Sequence, residues 1–501
     1  MTLTLYWLAG ISAAELLMWL PPAWGLRRGL ACAVIIALSV ASGLMFGSTP
    51  SVWTGLLLVF SIYRIINLLR VLEGRLQPKR LYSSTRRTSW WLIGCQIVVA
   101  AGAGLSHHYL LTGVTWLYIL AAGQLAVALI LMISTLRHLR TTRPDGQLKN
   151  LGDKELPALT VAIPARNETN DLEACLRSLV ASDYPKLEIL VLDDCSQNKR
   201  TPGIIRDFAQ SGVRFVAGQA PPRHWLAKNY AYHQLAAEAN GELLLFCGVD
   251  TRFQTGSLRS MIEVMSQRRK QMVSFMPRNP VPPSLNIESL LVQPARYAWE
   301  LSLPRRLLRR PPVLSTCWLI TAQALRGAGG LEAVSHSIAP ESYFARSTAR
   351  HQDGYSFLQS GTAIGLSSAK SLIEQCSTAV RTRYPQLHRR PELVALSVVG
   401  ELAALVLPFA LLVAAGVAHL GILAAINLVT SLLLAGFYSK IVRLTYRQFL
   451  SRGLWALPLA AIYDIGLLNY SMWRYEFREV IWKGRNVCVP LLKIREENAK
   501  S

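Results

Sequence analysis

The sequence predicts an α/β domain built on a mostly parallel sheet, with transmembrane helices before and after it in the chain. The first observation is a pair of short apolar runs that begin at Leu159 and Leu187 and stop at the polar residues Arg166 and Asp193. Such runs are typical of buried parallel strands. The second is a repeated alternation of strand and helix patterns, which favours a sheet covered on both faces. The third is a set of apolar stretches outside this region, each close to the ~20 residues that a membrane-spanning helix needs.

The composition indicates a membrane protein rather than a nucleic-acid-binding protein. The chain has 501 residues, enough for two or three domains, and 51% of them are hydrophobic. Its formal net charge is +23, but Lys and Arg concentrate beside the apolar stretches, in agreement with the positive-inside rule. No zinc-finger or RNA-recognition signature accompanies this charge. The eight cysteines are scattered without a CxxC pair, which favours reduced, structural thiols.

Residues 1–150 are predicted to form an N-terminal transmembrane region of about five helices. Basic and uncharged connections alternate, so an N-terminus outside the membrane places every basic connection in the cytoplasm. The α/β domain, residues 157–390, is therefore predicted to be cytoplasmic in a multi-pass protein of the inner (plasma) membrane. A polar linker from about Asp145 to Pro157 leads into it. The five apolar stretches are about Leu3–Leu20, Leu30–Phe46, Val52–Leu69, Trp90–Leu105 and Val114–Leu136.

Residues 391–501 are predicted to form a C-terminal transmembrane region with a cytoplasmic tail. Three spans would place the basic segment 482–485 outside, against the charge rule. The stretch that contains Pro458 and Asp464 is therefore the candidate for a re-entrant or interfacial segment. The three stretches are about Leu393–Gly416, Leu420–Tyr438 and Leu454–Trp473.

Charged and aromatic residues near the membrane give two further expectations. Glu15 and Arg64 fall near the predicted cytoplasmic ends of the first and third stretches, so both side chains are expected to extend to the membrane surface. Beyond Ser284, a basic pattern that includes Tyr297 and Arg310 fits either a segment on an anionic membrane surface or a solvated loop.

Within the α/β domain, helix and strand patterns alternate in a regular order. Asn170 or Asp171 is expected to cap the helix that follows the first strand. A helical pattern after Thr201 leads to a short strand at Val213–Val216, and a helix that ends at Ala239 leads to the strand Glu242–Cys247.

Polar side chains follow the first two strands at the points where they end. Arg166 and Glu168 follow the first strand, and Asp193 and Asp194 follow the second. Because the carboxyl ends of parallel strands meet at one edge of a sheet, these groups are expected to lie together. Paired carboxylates suit a nucleotide, since one can bind the base or ribose and another can share a divalent ion with phosphate oxygens.

Two more residues complete the predicted site. Asp250 closes the strand Glu242–Cys247, as required if two loops converge on one metal-diphosphate. Lys228, like Arg166, offers a cation to phosphate. No GxxxxGK[ST] loop is present in the sequence, so a P-loop NTPase is unsupported.

Seven short motifs occur in a fixed order between Leu159 and Arg485. In these motifs the chain resembles a family 2 glycosyltransferase with a GT-A fold, and it is most similar to the membrane-bound hopene-associated glycosyltransferase group. The five N-terminal spans are additional to that group's pattern. The motifs are Pro164-Ala165-Arg166-Asn167-Glu168, Asp183-Tyr184-Pro185, Leu192-Asp193-Asp194-Cys195-Ser196, Trp225-Leu226-Ala227-Lys228, Gly329-Gly330-Leu331, Arg381-Thr382-Arg383-Tyr384-Pro385-Gln386-Leu387 and Trp482-Lys483-Gly484-Arg485.

The resemblance implies a nucleotide-sugar donor, Mg²⁺ or Mn²⁺ as cofactor, and a role for individual residues. Asp194 would contact the donor nucleotide, Asp250 would be the metal ligand of a DxD-type motif, and Glu341 would be the catalytic base. The remaining residues implied in substrate binding are Trp225 and Lys228 of a WxGK-like segment, and Arg381 and Arg383 of a Q/RxxRW-type element.

The sequence departs from the family pattern at several positions. Gly248 replaces the first carboxylate of DxD, Pro340-Glu341 stands where an acidic pair ending in Asp is usual, Tyr384 replaces Trp, and Ala227 replaces Gly. A single Asp can still hold Mg²⁺ or Mn²⁺ with phosphate and water ligands.

Plainer interpretations stay open for four residues. Asp193 and Asp250 are also placed to cap a turn and a helix. Lys228 is also compatible with a solvated helix surface. Glu341 is compatible with a solvated loop, with Asp353 the next candidate for the base.

Residues and resemblance together predict an inverting transfer of a sugar from a nucleotide-sugar to a lipid or polyisoprenoid-type acceptor at the cytoplasmic face. Two alternatives stay open. One is a processive polysaccharide synthase, and the other is a degenerate GT-A protein that acts as a non-catalytic membrane scaffold.

Overall fold

The computed structural model divides the chain into two units. One contains residues 1–125, 383–429 and 465–479, and the other contains residues 126–382, 430–464 and 480–501. The described residues are 7, 10–15, 18, 25–48, 52–76, 88–99, 102, 113–144, 150–222, 225–280, 290–302, 310–350, 354–361, 363–446, 451–477 and 480–488.

Four helices among these residues are long and apolar enough to cross a membrane. One of them, Pro391–Val417, contains a π-helical turn at Leu402–Val406, followed by Pro408 near the start of the next α-helical segment. Proline lacks an N–H and its ring clashes with the carbonyl four residues earlier, so the wider turn accommodates it. The four helices are Gly29–Ser48, Thr115–Thr141, Pro391–Val417 and Gly421–Tyr446.

The predicted spans correspond only partly to these four helices. Two of the five N-terminal stretches coincide with them. The third, Val52–Leu69, lies on the 25-residue helix Val52–Leu76, whose apolar part is Trp53–Leu69, and the fourth overlaps the apolar helix Thr88–Val99. Most of the first stretch, Leu3–Leu20, lies outside the described residues. In the C-terminal region, the stretch with Pro458 and Asp464 forms the helix Ala456–Phe477, which is not among the four.

Glu15 and Arg64 pair with each other inside the first unit. Arg64 Nε lies 3.1 Å from Glu15 Oε2, and both side chains are buried. The expectation that each side chain extends to the membrane surface is therefore wrong. The two opposite charges compensate each other inside the protein, so neither side chain has to extend to the membrane surface to reach water.

The α/β domain lies in the second unit, and its described residues form nine strands. Their bounds are β1 Leu159–Ala165, β2 Leu187–Asp193, β3 Val213–Ala217, β4 Leu243–Cys247, β5 Thr251–Phe253, β6 Met272–Met276, β7 Cys317–Thr321, β8 Tyr355–Gln359 and β9 Leu366–Ser368. Seven of them form one sheet in the order β3-β2-β1-β4-β7-β6-β8, and β5 pairs with β9. Of these seven, only β7 runs antiparallel to its neighbours. The predicted mostly parallel sheet is confirmed.

Eight helices of the described residues accompany these strands, and they cover both faces of the sheet. On one face, Val161 and Ile163 of β1 share a buried core with Leu172 and Leu176 of the first helix. Alternate positions of a strand point to opposite faces, so the intervening residues of β1 serve the other side. The helices are α1 Asn170–Val180, α2 Arg200–Asp207, α3 Ala227–Glu238, α4 Ser257–Gln267, α5 Gln293–Ser302, α6 Ala322–Gly327, α7 Pro340–Arg350 and α8 Leu372–Gln386.

An aromatic cluster packs the other face against α3 and α7. Phe246 of β4 stacks on Trp318 of β7 with ring centroids 4.3 Å apart. Tyr232 of α3 meets Phe246 edge-on at 4.8 Å, and Phe344 of α7 stacks on Trp318 at 5.9 Å. This packing fixes the two helices that carry the predicted site residues Lys228 and Glu341.

A short hairpin near the C-terminus also belongs to the second unit. Its strands are β10 Ile481–Trp482 and β11 Arg485–Asn486, which pair antiparallel. The two central residues, Lys483 and Gly484, have φ of 47° and 76°. Left-handed conformations at both positions suit a two-residue hairpin, and glycine adopts them without strain.

The basic segment after Ser284 is described only in part. Tyr297 of α5 is fully buried and its hydroxyl donates a hydrogen bond to the carbonyl of Pro277 at 2.8 Å. The expectation that Tyr297 lies on a membrane surface or in a solvated loop is therefore wrong. Residues 303–309, with Arg305, Arg306 and Arg309, lie outside the described residues.

Candidate active site

The carboxyl ends of β1 and β2 meet at the predicted edge of the sheet. Ala165 lies opposite Asp193 in the parallel register, and the N–H of Asp194 donates to the Ala165 carbonyl at 2.8 Å. Arg166 and Asp194 are thereby brought side by side, as the sequence predicts. β4 pairs with the other side of β1 and leads to Asp250.

Arg166 fastens the loop after β2. Its Nη1 donates to the carbonyls of Asp194 and Cys195, at 2.6 Å each, and its Nε donates to the carbonyl of Lys483 at 2.9 Å. Three main-chain carbonyls therefore already accept from this guanidinium. The predicted role of Arg166 in binding phosphate stays a prediction, while its contacts support a structural role.

Asp194 forms a bidentate ion pair with Arg485. The two carboxylate oxygens each accept from Arg485 Nη1 at 2.7 Å, and the Asp194 side chain is only 6% exposed. Burial raises the pKa of Asp194 above its ordinary value, although the Arg485 guanidinium lowers it in part. A nucleotide that binds Asp194 must therefore share this carboxylate with Arg485 or displace it.

The hairpin 481–486, here called the C-terminal hairpin, makes two more contacts at this edge. Lys483 pairs with Glu168, and burial together with the nearby Arg166 lowers the pKa of Lys483 to about 8. The guanidinium of Arg381 stacks over the Trp482 ring, 4.5 Å from its centroid. The hairpin thus touches four residues that the sequence predicts for substrate binding: Arg166, Glu168, Asp194 and Arg381.

Other predicted residues have plainer local contacts. Asp193 Oδ1 accepts the N–H of Ser196 at 3.2 Å, which is a turn-capping contact. Trp225 is buried and meets Tyr230 and His233 with ring centroids 5.4 Å and 5.0 Å away. Arg383 lies two residues beyond Arg381 on α8, and its part in binding stays a prediction.

Four charged residues form a second group near the end of β4, here called the lysine–carboxylate cluster: Lys228, Asp250, Glu341 and Lys370. Asp250 Oδ2 accepts from the Ser368 hydroxyl at 2.5 Å and lies 3.8 Å from Lys370 Nζ. Burial raises the pKa of Asp250, but Lys370, Ser368 and Lys228 outweigh it and hold that pKa below its ordinary value. Asp250 is therefore anionic at neutral pH.

Lys228 and Glu341 influence each other within this cluster. Burial lowers the pKa of Lys228 to about 8, while the charges of Glu341 and Asp250 oppose that shift. Burial raises the pKa of Glu341, which Lys228 lowers in part. Glu341 is 4% exposed, and its Oε2 has no hydrogen-bond partner among the described residues. A buried carboxylate oxygen without a partner is costly in a stable fold, and it is available to a bound hydroxyl.

Asn229 joins the segments that carry these two residues. Its side-chain amide donates to the carbonyls of Val334 and Ser337, at 2.7 Å each, and the residue is 1% exposed. The N–H of Leu226 also donates to the Ser335 carbonyl at 2.9 Å. The start of α3, with Lys228, is therefore tied to the loop that leads into α7 and Glu341.

The donor set of the cluster limits how a metal can bind. Among the described residues, no group of three or more His, Cys, Asp or Glu side chains is placed to hold a metal ion. A Cβ added at Gly248 would come within 2.5 Å of Asp250 Oδ1, so a second carboxylate there would displace Asp250. The residues present fit a divalent cation that takes one protein carboxylate, Asp250, and draws its other oxygens from diphosphate and water.

Sequence reasoning missed three residues of this site. Lys370 and Arg485 contact it from segments far away along the chain, while Asn229, next to Lys228, ties α3 to the loop before α7. Arg485 belongs to the motif Trp482-Lys483-Gly484-Arg485, which is the signal in the sequence that could have identified it. Lys370 and Asn229 carried no such signal.

A mostly parallel sheet with charged groups at its strand ends is the architecture expected of a GT-A domain. Residues 160–315 match the family described as Glycosyl transferase family 2. The chain therefore contains a glycosyl transferase family 2 domain. The narrower hopene-associated group stays a prediction.

Similar proteins are known from sequence and from structure. The probable glycosyltransferase YdaM of Bacillus subtilis (strain 168) is 35% identical over 101 residues, which are 19% of this chain. The chain spans only 24% of that curated relative's length.

Two solved structures are similar to this chain at low sequence identity. A mannosyltransferase from Pyrobaculum calidifontis, in complex with GDP-Man and Mn²⁺, is 19% identical with a TM-score of 0.43, over 70% of this chain and 97% of that one. Glucosyl-3-phosphoglycerate synthase from Mycobacterium tuberculosis, in complex with Mn²⁺, UDP and glucosyl-3-phosphoglycerate, is 16% identical with a TM-score of 0.34, over 50% and 88%. Sequence identities and TM-scores this low do not identify the substrate of this chain.

Proposed function

We propose that this protein is a membrane glycosyltransferase that transfers a sugar from a nucleotide-sugar to a lipid or lipid-linked acceptor at the cytoplasmic face. The observation that carries the proposal is the lysine–carboxylate cluster at the strand ends of a glycosyl transferase family 2 domain. Four membrane-length helices in the same chain support a lipid acceptor, which then need not leave the bilayer. The inner (plasma) membrane is the proposed location.

The transfer is proposed as one inverting displacement. Glu341 takes the proton of the acceptor hydroxyl, whose oxygen forms a bond to the anomeric carbon of the sugar. The bond from that carbon to the diphosphate breaks, and its electron pair leaves with the nucleoside diphosphate. The buried Oε2 of Glu341, without a partner among the described residues, supports its role as the base.

Cations of the cluster are proposed to receive the leaving diphosphate. Lys228 and Lys370 are both only partly exposed, so their charges act in a medium less polar than water. Mg²⁺ or Mn²⁺, held by Asp250, would neutralise further negative charge on the diphosphate when bound. Asp194 is proposed to contact the nucleoside, in competition with Arg485.

A donor panel tests this proposal. The full-length protein in detergent is heated with UDP-, GDP- or dTDP-sugars, with and without Mn²⁺. We expect one nucleotide series to raise the melting temperature, because a ligand that binds only the folded state stabilises it. Asp250→Asn should remove the Mn²⁺ dependence of that shift, and Glu238→Gln, at an exposed position of α3, should not. The absence of a shift with every donor would contradict the proposal.

A non-catalytic scaffold is the second candidate, and one observation favours it. Arg485 already binds the carboxylate that is proposed to contact the nucleoside. If this pair persists in the working protein, donor access is closed. Melting shifts that appear only after Arg485→Gln would favour the scaffold.

A further inference from the structure

A basic cavity of about 770 Å³ shares no lining residue with the lysine–carboxylate cluster. It is formed where the helices Gly113–Thr141 and Gly421–Tyr446 end beside β6 and β8. Every described lining residue belongs to the second unit. Five of these lining residues are cations: Arg140, Arg143, Arg278, Lys440 and Arg443.

The charges of the cavity are unbalanced along its walls. No Asp or Glu stands among the described residues that line it. Arg140, Arg143, Lys440 and Arg443 are exposed, so they retain their charge around the opening. Like charges brought to one concavity repel each other, and an anion that enters relieves this repulsion. The occupant is therefore anionic.

The same cavity has an apolar side. Leu136 and Leu139 come from one membrane-length helix, and Leu444 comes from the other. A ligand that satisfies both surfaces carries a phosphate at one end and a hydrocarbon chain at the other. Basic pockets between membrane helices on the cytoplasmic side have this chemistry when they bind anionic lipid headgroups.

The walls are fixed by hydrogen bonds between the helix end and the sheet. The side-chain amide of Gln359 donates to the Leu139 carbonyl at 3.0 Å, and its N–H donates to the Thr142 carbonyl at 2.9 Å. Arg278 follows β6, and its N–H donates to the Leu366 carbonyl at 3.1 Å. The positive-inside rule explains the four cations at the ends of the two helices. It does not explain Arg278, which follows a strand of the sheet and is the fifth cation of the cavity.

We infer that this cavity binds the phosphate group of an anionic membrane lipid, with the acyl chain along the leucine side. The inference does not rest on the proposed sugar transfer, so its test needs neither a donor nor an acceptor. The same phosphate chemistry is offered by free phosphate, which the experiment separates from lipid.

Native mass spectrometry of the full-length protein tests the inference. The protein is released from nanodiscs that contain phosphatidylglycerol and phosphatidylcholine, and retained lipid is counted. We expect preferential retention of phosphatidylglycerol by the wild type. In the double variant Arg140→Gln/Arg443→Gln, retention should fall by about 30-fold, the loss that two juxtamembrane cations imply.

A matched variant controls for net charge. Arg137→Gln/Arg326→Gln removes two exposed cations that do not line the cavity, and it should retain lipid like the wild type. If the test variant fails to fold, the single variant Arg443→Gln carries the comparison, with a loss of about fivefold expected. Equal retention in test and control variants would overturn the inference. Complete displacement of phosphatidylglycerol by millimolar inorganic phosphate would also overturn it, in favour of a soluble anion.

Discussion

Lys228 is a partly exposed lysine whose pKa lies at about 8, because burial lowers it. Its charge therefore changes within the range in which enzymes are commonly assayed. Below pH 8 the ammonium is available to a diphosphate, and above it the neutral amine is not. The pKa of Lys228 is lower in the folded protein than its ordinary value of 10.5. The contribution of this lysine to the free energy of unfolding is therefore full above pH 10.5 and is lost as the pH falls through about 8.

Donor affinity is predicted to fall as the pH rises through about 8. Glu341→Gln should move this loss to lower pH, because the Glu341 charge raises the pKa of Lys228. Calorimetric titration of the donor across pH 6 to about 10 measures both effects. Glu332→Gln, an exposed glutamate near the same segment, is the control and should leave the profile unchanged. An unchanged profile in Glu341→Gln would show that the two groups are not coupled.

At the residue scale, the sequence marks the polar residues that follow a strand, and their roles in the site stay predictions. Asp194 and Asp250 each follow a short apolar run, and parallel pairing brings such ends together. Lys370 has no such marker, because it reaches Asp250 through the pairing of β5 with β9 from far along the chain. Pairing between distant segments leaves no local pattern in a single sequence.

Among the elements, the C-terminal hairpin is the one whose position the sequence did not predict. Its motif was recognised by resemblance, but no periodicity links Arg485 to Asp194. The strands of the sheet behave differently, since β1 and β2 are recognisable from their apolar runs and are joined by α1. Local signals thus predicted the βαβ unit, while a contact between distant parts of the chain required the structure.

Breaking the Arg485–Asp194 pair is predicted to destabilise the protein by about 1–3 kcal/mol, because a buried carboxylate is left without its cation. Arg485→Gln and Asp194→Asn should each lower the melting temperature. The double variant should lower it by less than the sum, since the two residues share one interaction. Arg177→Gln breaks an exposed helical ion pair and serves as the control with almost no effect. If the double variant instead lowers the melting temperature by the sum of the two single decreases, the ion pair does not contribute to stability.

At the scale of the whole molecule, the fold class was predictable, while the number of spans stays a prediction. Apolar length alone marked Leu30–Phe46 and Val114–Leu136, which coincide with membrane-length helices. Val52–Leu69 likewise lies on a long helix, the 25-residue Val52–Leu76, of which Trp53–Leu69 is the apolar part. Orientation rests on the positive-inside rule and stays a proposal.

Site-directed labelling tests that orientation. In a variant with Cys195→Ser, a cysteine at the exposed Gln197 is predicted to be protected from a membrane-impermeant reagent in intact cells. A cysteine at the exposed Ser48, at the end of the helix Gly29–Ser48, is predicted to react. Detergent should expose both positions equally. Labelling of Gln197→Cys from outside intact cells would reverse the proposed arrangement.

The central claim is that the domain transfers sugar with Glu341 as the base. Purified full-length protein in nanodiscs is incubated with a radiolabelled form of the nucleotide-sugar that stabilises it, together with a membrane lipid extract. Label should enter the lipid fraction, and Glu341→Gln should lower the rate by about 10²–10⁴-fold, since the amide cannot accept the proton. Donor affinity below pH 7 should barely change, and Glu341→Asp should keep part of the activity. Donor binding without transfer by the wild type, or full transfer by Glu341→Gln, would contradict the claim.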